Sequence, residues 1–328
     1  MAAYLRKIAI FHLALLSLAS VLLAREVDSG MWPLIHPNSK ALIGMQWAAV
    51  HHSEVGKWLR QRWIGDLEVP GLDFSKDVQQ VLISSPGRLG GQEPQLLIAV
   101  RGNFDQKRVE EALIRAGTSR QMFSGVAVYR PRAKGSSDPS FALLTEHVIL
   151  IGDPASLFST IERSRLPRPA DEGSFLERAQ ALDLRYDCWA LLTDPASMQN
   201  FMFASLVGKT MSAEAVGLEA GISVRDGLAI DVVMNSPNER TAKAMQGHVT
   251  HMVELAAQDQ KAPADFSSLV GKLRVSTDRN NVLMSLRMTD AEVAKSLEAK
   301  PRIVVADKPQ VIRIEGLDDG PRVVPLQP

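Results

Sequence analysis

The alternation of apolar and polar residues between positions 216 and 234 constrains the fold of this chain more than any other feature. Asp226-Gly227 divides the alternation into two arms. Apolar side chains take every second position in each arm: Val216, Leu218, Ala220, Ile222 and Val224, then Leu228, Ile230, Val232 and Met234. A period of two is that of a strand with one buried face, and Asp-Gly is a strong signal for a tight hairpin turn. We therefore predict an antiparallel hairpin here.

The segments around this hairpin follow an order that occurs twice along the chain. In the second half we predict, in turn, a strand, a helix, the hairpin, a helix, a second hairpin and a helix, at 186–193, 194–211, 216–234, 238–259, 273–288 and 290–299. In the first half we predict a strand, a helix, a hairpin, a helix, three strands and a helix, at 41–50, 53–65, 78–84 with 95–101, 105–116, 126–130, 141–144, 148–151 and after Asp153-Pro154. The first half thus has one extra strand.

Antiparallel hairpins with helices packed on them define an α+β fold. We predict two similar halves, each running strand, helix, hairpin, helix, strands, helix, after an N-terminal apolar helix. The predicted segments are a signal peptide or membrane anchor, a linker, the first half, a connecting segment, the second half and an extended tail, at 1–24, 25–40, 41–165, 166–185, 186–300 and 301–328.

The N-terminal segment carries the signature of export. Arg6 and Lys7 precede an apolar run over 8–24, which is what the secretion machinery reads. The run is long for a cleaved signal peptide and near the lower limit for a spanning helix. Cleavage after Ala24 would require a small residue at position 22, which is Leu22. The sequence therefore allows both a retained anchor and a cleaved signal peptide. In either case the positive charges place the body on the periplasmic side, tethered to the inner membrane or released.

Composition argues against one class of partner. Lys plus Arg and Asp plus Glu number 37 each, so the formal net charge is zero. A neutral chain has no overall electrostatic field that would attract nucleic acid. We expect no nucleic-acid partner. The one cysteine, Cys188, lies in an apolar run, where a buried structural thiol is expected.

No motif predicts a cofactor or a catalytic site. Gly208-Lys209-Thr210 resembles the end of a phosphate-binding loop, but Phe203 stands where the loop needs another glycine. A helix C-terminus with a glycine stop explains the segment better. No Gly-x-Ser-x-Gly sequence marks a nucleophile. We therefore name no cofactor and no catalytic residue.

Two segments have some binding character. His248 and His251 lie three residues apart on a predicted helix, a spacing that can ligate zinc, but no further ligand is identifiable and a solvated helix face is the favoured interpretation. Lys57, Trp58, Arg60 and Trp63 mix cations with aromatic rings, a mixture that suits a membrane surface or a protein partner. The alternative is an amphipathic helix that buries its tryptophans and solvates its cations.

The leading functional hypothesis is an exported or membrane-tethered, non-enzymatic envelope protein that acts as a binding or assembly module. A second hypothesis is an envelope hydrolase whose site is assembled between the two halves. A third is a metal-binding protein that uses His248 and His251.

Overall fold

The computed structural model of the chain describes nine ranges of residues. These are 30–59, 69–86, 96–133, 138–166, 173–193, 215–258, 271–298, 311–314 and 322–325. The predicted N-terminal apolar helix and the predicted helix over 194–211 lie outside them.

Twelve strands form one antiparallel sheet in the order β11-β12-β10-β9-β8-β1-β2-β3-β7-β6-β5-β4. In chain order, β1 to β12 are Ala41–Met45, Val78–Ser85, Leu97–Gly102, Thr118–Phe123, Val126–Pro131, Ser140–Thr145, Val148–Gly152, Cys188–Leu192, Gly217–Ser223, Leu228–Asn235, Arg274–Asp278 and Asn281–Met288. A separate two-stranded sheet is made by β13 and β14, Val311–Ile314 and Arg322–Pro325.

Helices lie between the strands. In the described ranges, a 3-10 turn, Trp32–Leu34, precedes eight α-helices, α1 to α8: Trp47–Val50, Glu54–Leu59, Phe74–Asp77, Gln106–Arg115, Pro154–Arg163, Gly173–Arg185, Glu239–Gln258 and Asp290–Glu298. Side-chain caps fix several of their starts. Asp105 accepts from the backbone N–H groups of Lys107 and Arg108 at α4. Asp153 does the same for α5, where Pro154 takes the first helical position.

The sheet is covered on two faces, which we call front and back. The front face carries the side chains of Leu42, Leu82 and Trp189, and it packs against the 3-10 turn, α5 and α6. The back face of the first half packs against α1 and α4. The back face of the second half packs against α7 through Ala242, Met245 and Val249. Helices α5 and α4 therefore enclose the first half of the sheet between them.

The two halves meet in the middle of the sheet, where β1 pairs with β8. Leu42 lies beside Leu191, and Gly44 lies beside Trp189. The Trp189 ring covers Gly44 so closely that a Cβ there would lie 2.3 Å from the ring. On its other side Trp189 stacks on Trp32 with ring centroids 6.1 Å apart. This junction is a packed core.

The chain is a mixed helix-and-strand protein with a large antiparallel sheet and several helices, as the periodicity predicted. The Asp226-Gly227 hairpin is confirmed, since β9 and β10 pair from Gly217 with Asn235 to Ser223 with Ala229. The hairpin of β2 with β3 and that of β11 with β12 are also present. Within the segment predicted as an extended tail, β13 and β14 pair as a small hairpin.

Three local predictions differ from the structure. The strand predicted over 41–50 ends at Met45, and the apolar residues after it begin α1, whose Trp47 indole N–H is held by the Phe74 carbonyl at 2.7 Å. The first half has an additional strand, β4, that the sequence did not suggest because its residues Ser119 to Gln121 are polar and exposed. The predicted connecting segment over 166–185 contains a full helix, α6, at Gly173–Arg185.

Part of the predicted linker belongs to the core. Met31, Trp32 and Leu34 are buried on the front face, because this short run is more apolar than a solvated linker tolerates. Within the residues described, no helix is both long enough and apolar enough to cross a bilayer.

Candidate functional site

A groove of about 360 Å³ lies on the front face of the second half, between the C-terminal end of α6 and strands β9 to β12. Among the described helices only α6 contributes to its walls. The lining residues are Leu182, Arg185, Tyr186, Glu219, Ala220, Gly221, Asp231, Val232, Val233, Ser276, Leu283, Met284, Ser285 and Arg287. A volume of this size is at the lower end of the range for small-molecule sites.

A buried polar cluster fixes α6 in place above the sheet. The Asp183 carboxylate, on the inner side of α6, accepts from the Trp189 indole N–H at 2.8 Å and from the Gln46 side-chain amide at 3.4 Å. Gln46 in turn accepts from the Gln80 amide at 2.9 Å. Because a buried carboxylate is costly without such donors, the cluster selects one position of α6 on the sheet. That position sets the width of the groove.

Tyr186 forms one end of the groove. Its ring lies flat on Gly221, where a Cβ would be 2.3 Å from the ring carbons. The Arg185 guanidinium lies over the ring, 5.2 Å from its centroid. The Tyr186 hydroxyl donates to Asp231 at 3.1 Å. Burial raises the pKa of Tyr186, and the nearby charge of Asp231 adds to the increase, so the phenol remains protonated at neutral pH.

Two ion pairs lie along the groove. Arg287 donates to both carboxylate oxygens of Asp231, at 2.7 and 2.8 Å, and also to the Ile230 carbonyl. Arg178, on α6, donates twice to Glu219, at 2.9 and 2.5 Å. Since these pairs are partly open to solvent, each stabilises the fold by no more than about 1 kcal/mol. Their main effect is to neutralise both carboxylates and hold them still.

The register of the sheet explains why polar side chains gather here. One row of directly paired residues crosses the front face from Trp189 through Gly221, Asp231 and Ser285 to Arg274. The row is buried where α6 covers it and becomes polar beyond Gly221. Leu283 and Val233 form the apolar part of the neighbouring row. The groove therefore combines a hydrogen-bonding floor with two aliphatic side chains, an arrangement suited to binding.

The structure places the predicted partner surface only in part. Lys57 lies on α2, is exposed and pairs with Glu54 at 2.5 Å. Trp58 belongs to α2, but its side chain lies outside the described residues, as do Arg60 and Trp63. Helix α2 packs against α8. Lys57, the one residue of this set whose side chain is described, does not line the groove.

The predicted histidine pair lies on the outer surface of α7. His248 and His251 are both exposed. In the part of the chain that the structure describes, no group of three or more His, Cys, Asp or Glu side chains is arranged to hold a metal ion. Cys188 is buried. Burial raises the pKa of its thiol to about 12, with a smaller contribution from Asp187.

Sequence reasoning did not find the groove residues. Tyr186, Asp231 and Arg287 are far apart in the chain and meet only through strand pairing. One signal was present in the alternation of the first hairpin, where Glu219, Gly221 and Asp231 occupy the non-apolar positions. Two of these three residues are charged, as they would be on a solvated face of the hairpin. Only the register of the strands shows that this face lines a groove.

No protein-family model matches the sequence. No curated protein matches it either. The chain is similar to the solved structure of TP0453 in its crystal form I, with a TM-score of 0.52 and 7% sequence identity. The similarity covers 81% of this chain and 95% of that one. At this identity the likeness concerns the fold alone.

Proposed function

We propose that this protein is a non-enzymatic envelope protein, exported and either tethered or released, that binds a ligand in the groove between α6 and the sheet. The observation that carries the proposal is the groove itself, in which Tyr186, Asp231 and Arg287 form a fixed polar floor. Fixed donors and acceptors reduce the entropy lost on binding. Export is supported by Arg6, Lys7 and the apolar run over 8–24.

The chemistry of the groove favours binding over catalysis. A general base needs a free acceptor, yet Asp231 and Glu219 are each engaged by an arginine. Tyr186 has a raised pKa and donates to Asp231, so it is a poor proton donor to a substrate at neutral pH. Cys188, with a pKa of about 12, is not a thiolate nucleophile.

The hydrolase alternative requires a site between the two halves. At the β1–β8 junction the side chains of Leu42, Leu191 and Trp189 are buried and fill the front face. Among the described residues, this packing fills the junction with apolar side chains and weighs against the alternative. A metal-binding role for His248 and His251 would need further ligands on the exposed side of α7.

We also infer that the two halves are repeats. The order of strands outward from the β1–β8 junction supports this: β1-β2-β3-β7-β6 on one side resembles β8-β9-β10-β12-β11 on the other. Helices α4 and α7 follow equivalent hairpins on the same face. On this view β4 and β5 are an added hairpin. The front face above β10, β12 and β11 corresponds to the face that α5 covers in the first half, which accounts for the position of the groove.

A groove-filling variant tests the binding function. Ser285→Trp places an indole in the groove, and Ser119→Trp places one on the exposed edge strand β4 as a matched control. Small polar compounds are screened against the full chain by ligand-observed NMR. We expect compounds that bind the wild type to lose binding to Ser285→Trp and keep it for Ser119→Trp, with both variants folded by circular dichroism. Equal binding to both variants would reject the groove.

The export proposal has its own test. Mass spectrometry of the mature N-terminus from membrane and soluble fractions distinguishes a retained anchor from a cleaved signal. An intact N-terminus in the membrane fraction indicates a tether, and a new N-terminus near residue 25 indicates release. An intact chain found only in the cytoplasmic fraction would contradict export.

A further inference from the structure

We infer that the groove recognises a compact anion, a carboxylate or phosphate group, through the guanidinium of Arg185. The inference rests on the proposed binding function and names the class of ligand for the same site.

The carboxylates that line the groove are both paired with arginines. Glu219 is paired with Arg178 and Asp231 with Arg287, and each carboxylate accepts two hydrogen bonds from its arginine. Among the described carboxylates, none forms an ion pair with Arg185. The Arg185 guanidinium is therefore available to a ligand.

Arg185 is held in position. Its guanidinium lies over the Tyr186 ring, which also rests on Gly221 and whose hydroxyl is bonded to Asp231. A cation stacked on an aromatic ring keeps the edge of its guanidinium free to donate. Arg185 lies in the last turn of α6, where the helix dipole carries about half a negative charge. The full charge of the guanidinium outweighs it.

The rest of the floor suits an anion. Ser276 and Ser285 line the groove and supply hydroxyl groups that can donate. The Asp231 carboxylate would repel an anion if it were free. Arg287 neutralises its charge, and the Tyr186 hydroxyl donates a hydrogen bond to it. A volume of about 360 Å³ holds phosphate or a short carboxylic acid and excludes a folded polymer.

Titration calorimetry on the full chain tests the inference with three probes of similar size. Glutarate presents carboxylate groups, inorganic phosphate presents a phosphate group, and glycerol is the neutral control. We expect at least one anion to bind more tightly than glycerol, by tenfold or more, with affinity that falls as NaCl is raised. Preference between glutarate and phosphate identifies which anion the groove takes.

Variants assign the binding to Arg185. We expect Arg185→Gln to weaken anion binding about tenfold or more, the effect of losing a charge-assisted hydrogen bond. Arg185→Lys keeps the charge without the planar fork and should restore part of the affinity. Arg130→Gln removes an exposed arginine of β5, in the first half of the same sheet and away from the groove, and should change affinity less than twofold.

Two results would overturn the inference and leave the binding function standing. One is that glycerol binds as tightly as the anions and that Ser285→Trp abolishes this binding. The other is anion binding that Ser285→Trp abolishes but Arg185→Gln leaves unchanged. If instead Ser285→Trp has no effect on any probe that binds, the groove is not the site, and the proposed function and the inference both fail.

Discussion

Replacing Gly221 by alanine tests how the groove is built. Gly221 is not among the glycines with positive φ, so alanine meets no backbone strain there. Its Cβ, however, would lie 2.3 Å from Cγ and Cδ2 of Tyr186 and 2.4 Å from Cε2. Ordinary contacts between carbon atoms begin near 3.5 Å. The ring has to lift by roughly 1 Å or more, which breaks the 3.1 Å bond from its hydroxyl to Asp231.

The magnitude follows from three terms. Forcing an extra methyl group into a packed contact costs about 1–3 kcal/mol. Losing the hydrogen bond to Asp231 costs about 1.5 kcal/mol, since that carboxylate keeps its pair with Arg287. The smaller freedom of the unfolded chain returns about 0.5–1 kcal/mol. We therefore expect Gly221→Ala to lower the free energy of unfolding by about 1.5–4 kcal/mol, measured by urea denaturation.

Two further variants make the result specific. Gly247→Ala adds the same methyl group on helix α7, where nothing lies within 4 Å, and should stabilise by about 0.5–1 kcal/mol. In a Tyr186→Ala background the cost of Gly221→Ala should nearly vanish, giving a coupling energy of about 2 kcal/mol. A Gly221→Ala protein as stable as the wild type, or a cost that persists without Tyr186, would refute this account of the contact.

Three other predictions concern the same region. Asp187→Ala removes a fully buried carboxylate that pairs with Arg225 at 2.7 Å, and should lower the free energy of unfolding by roughly 3 kcal/mol in urea titrations; an unchanged midpoint would refute this. Tyr186→Phe should cost about 1.5 kcal/mol by the same assay, through loss of the bond to Asp231, and a neutral result would show that the bond does not contribute. Cys188 should resist a thiol reagent at pH 8 until the chain unfolds. Rapid labelling of the native chain would contradict its burial. Because the pKa of the Cys188 thiol is raised in the folded chain, its contribution to the free energy of unfolding is full below about pH 8.5 and is lost as the pH rises toward 12.

The parts of the fold that the sequence predicted are those governed by local rules. The Asp226-Gly227 turn and the alternation around it specify β9 and β10 without reference to the rest of the chain. Asp105 and Asp153 mark the starts of α4 and α5 in the same way.

Other parts depended on tertiary contacts. The polar strand β4 exists because it pairs with β5 along its whole length, and its own residues give no alternation. Trp32 reads as part of a linker until Trp189 is known to lie beneath it. The register of pairing between distant strands decides these cases, and a single sequence does not reveal it.

The candidate site was harder still. Its residues come from α6, β9, β10, β11 and β12, so that no spacing along the chain connects Tyr186 with Asp231 or Arg287. The sequence pointed instead to segments where residues of one kind are close together, Trp58 with Trp63 and His248 with His251. His248 and His251 do not line the groove, and Trp63 and the Trp58 side chain lie outside the described residues.

Labelling of single cysteines tests the central claim, an exported protein with an open groove, most directly. Cys188 is buried, so a cysteine introduced at Ser285 in the groove or at Ser119 on the edge of the sheet is the reactive one. The full chain is labelled in intact spheroplasts with a maleimide that does not cross membranes. We predict that Ser119→Cys and Ser285→Cys both react before lysis, while the wild type does not. Reaction of Ser119→Cys only after lysis would contradict export, and reaction of Ser119→Cys without Ser285→Cys would contradict an open groove.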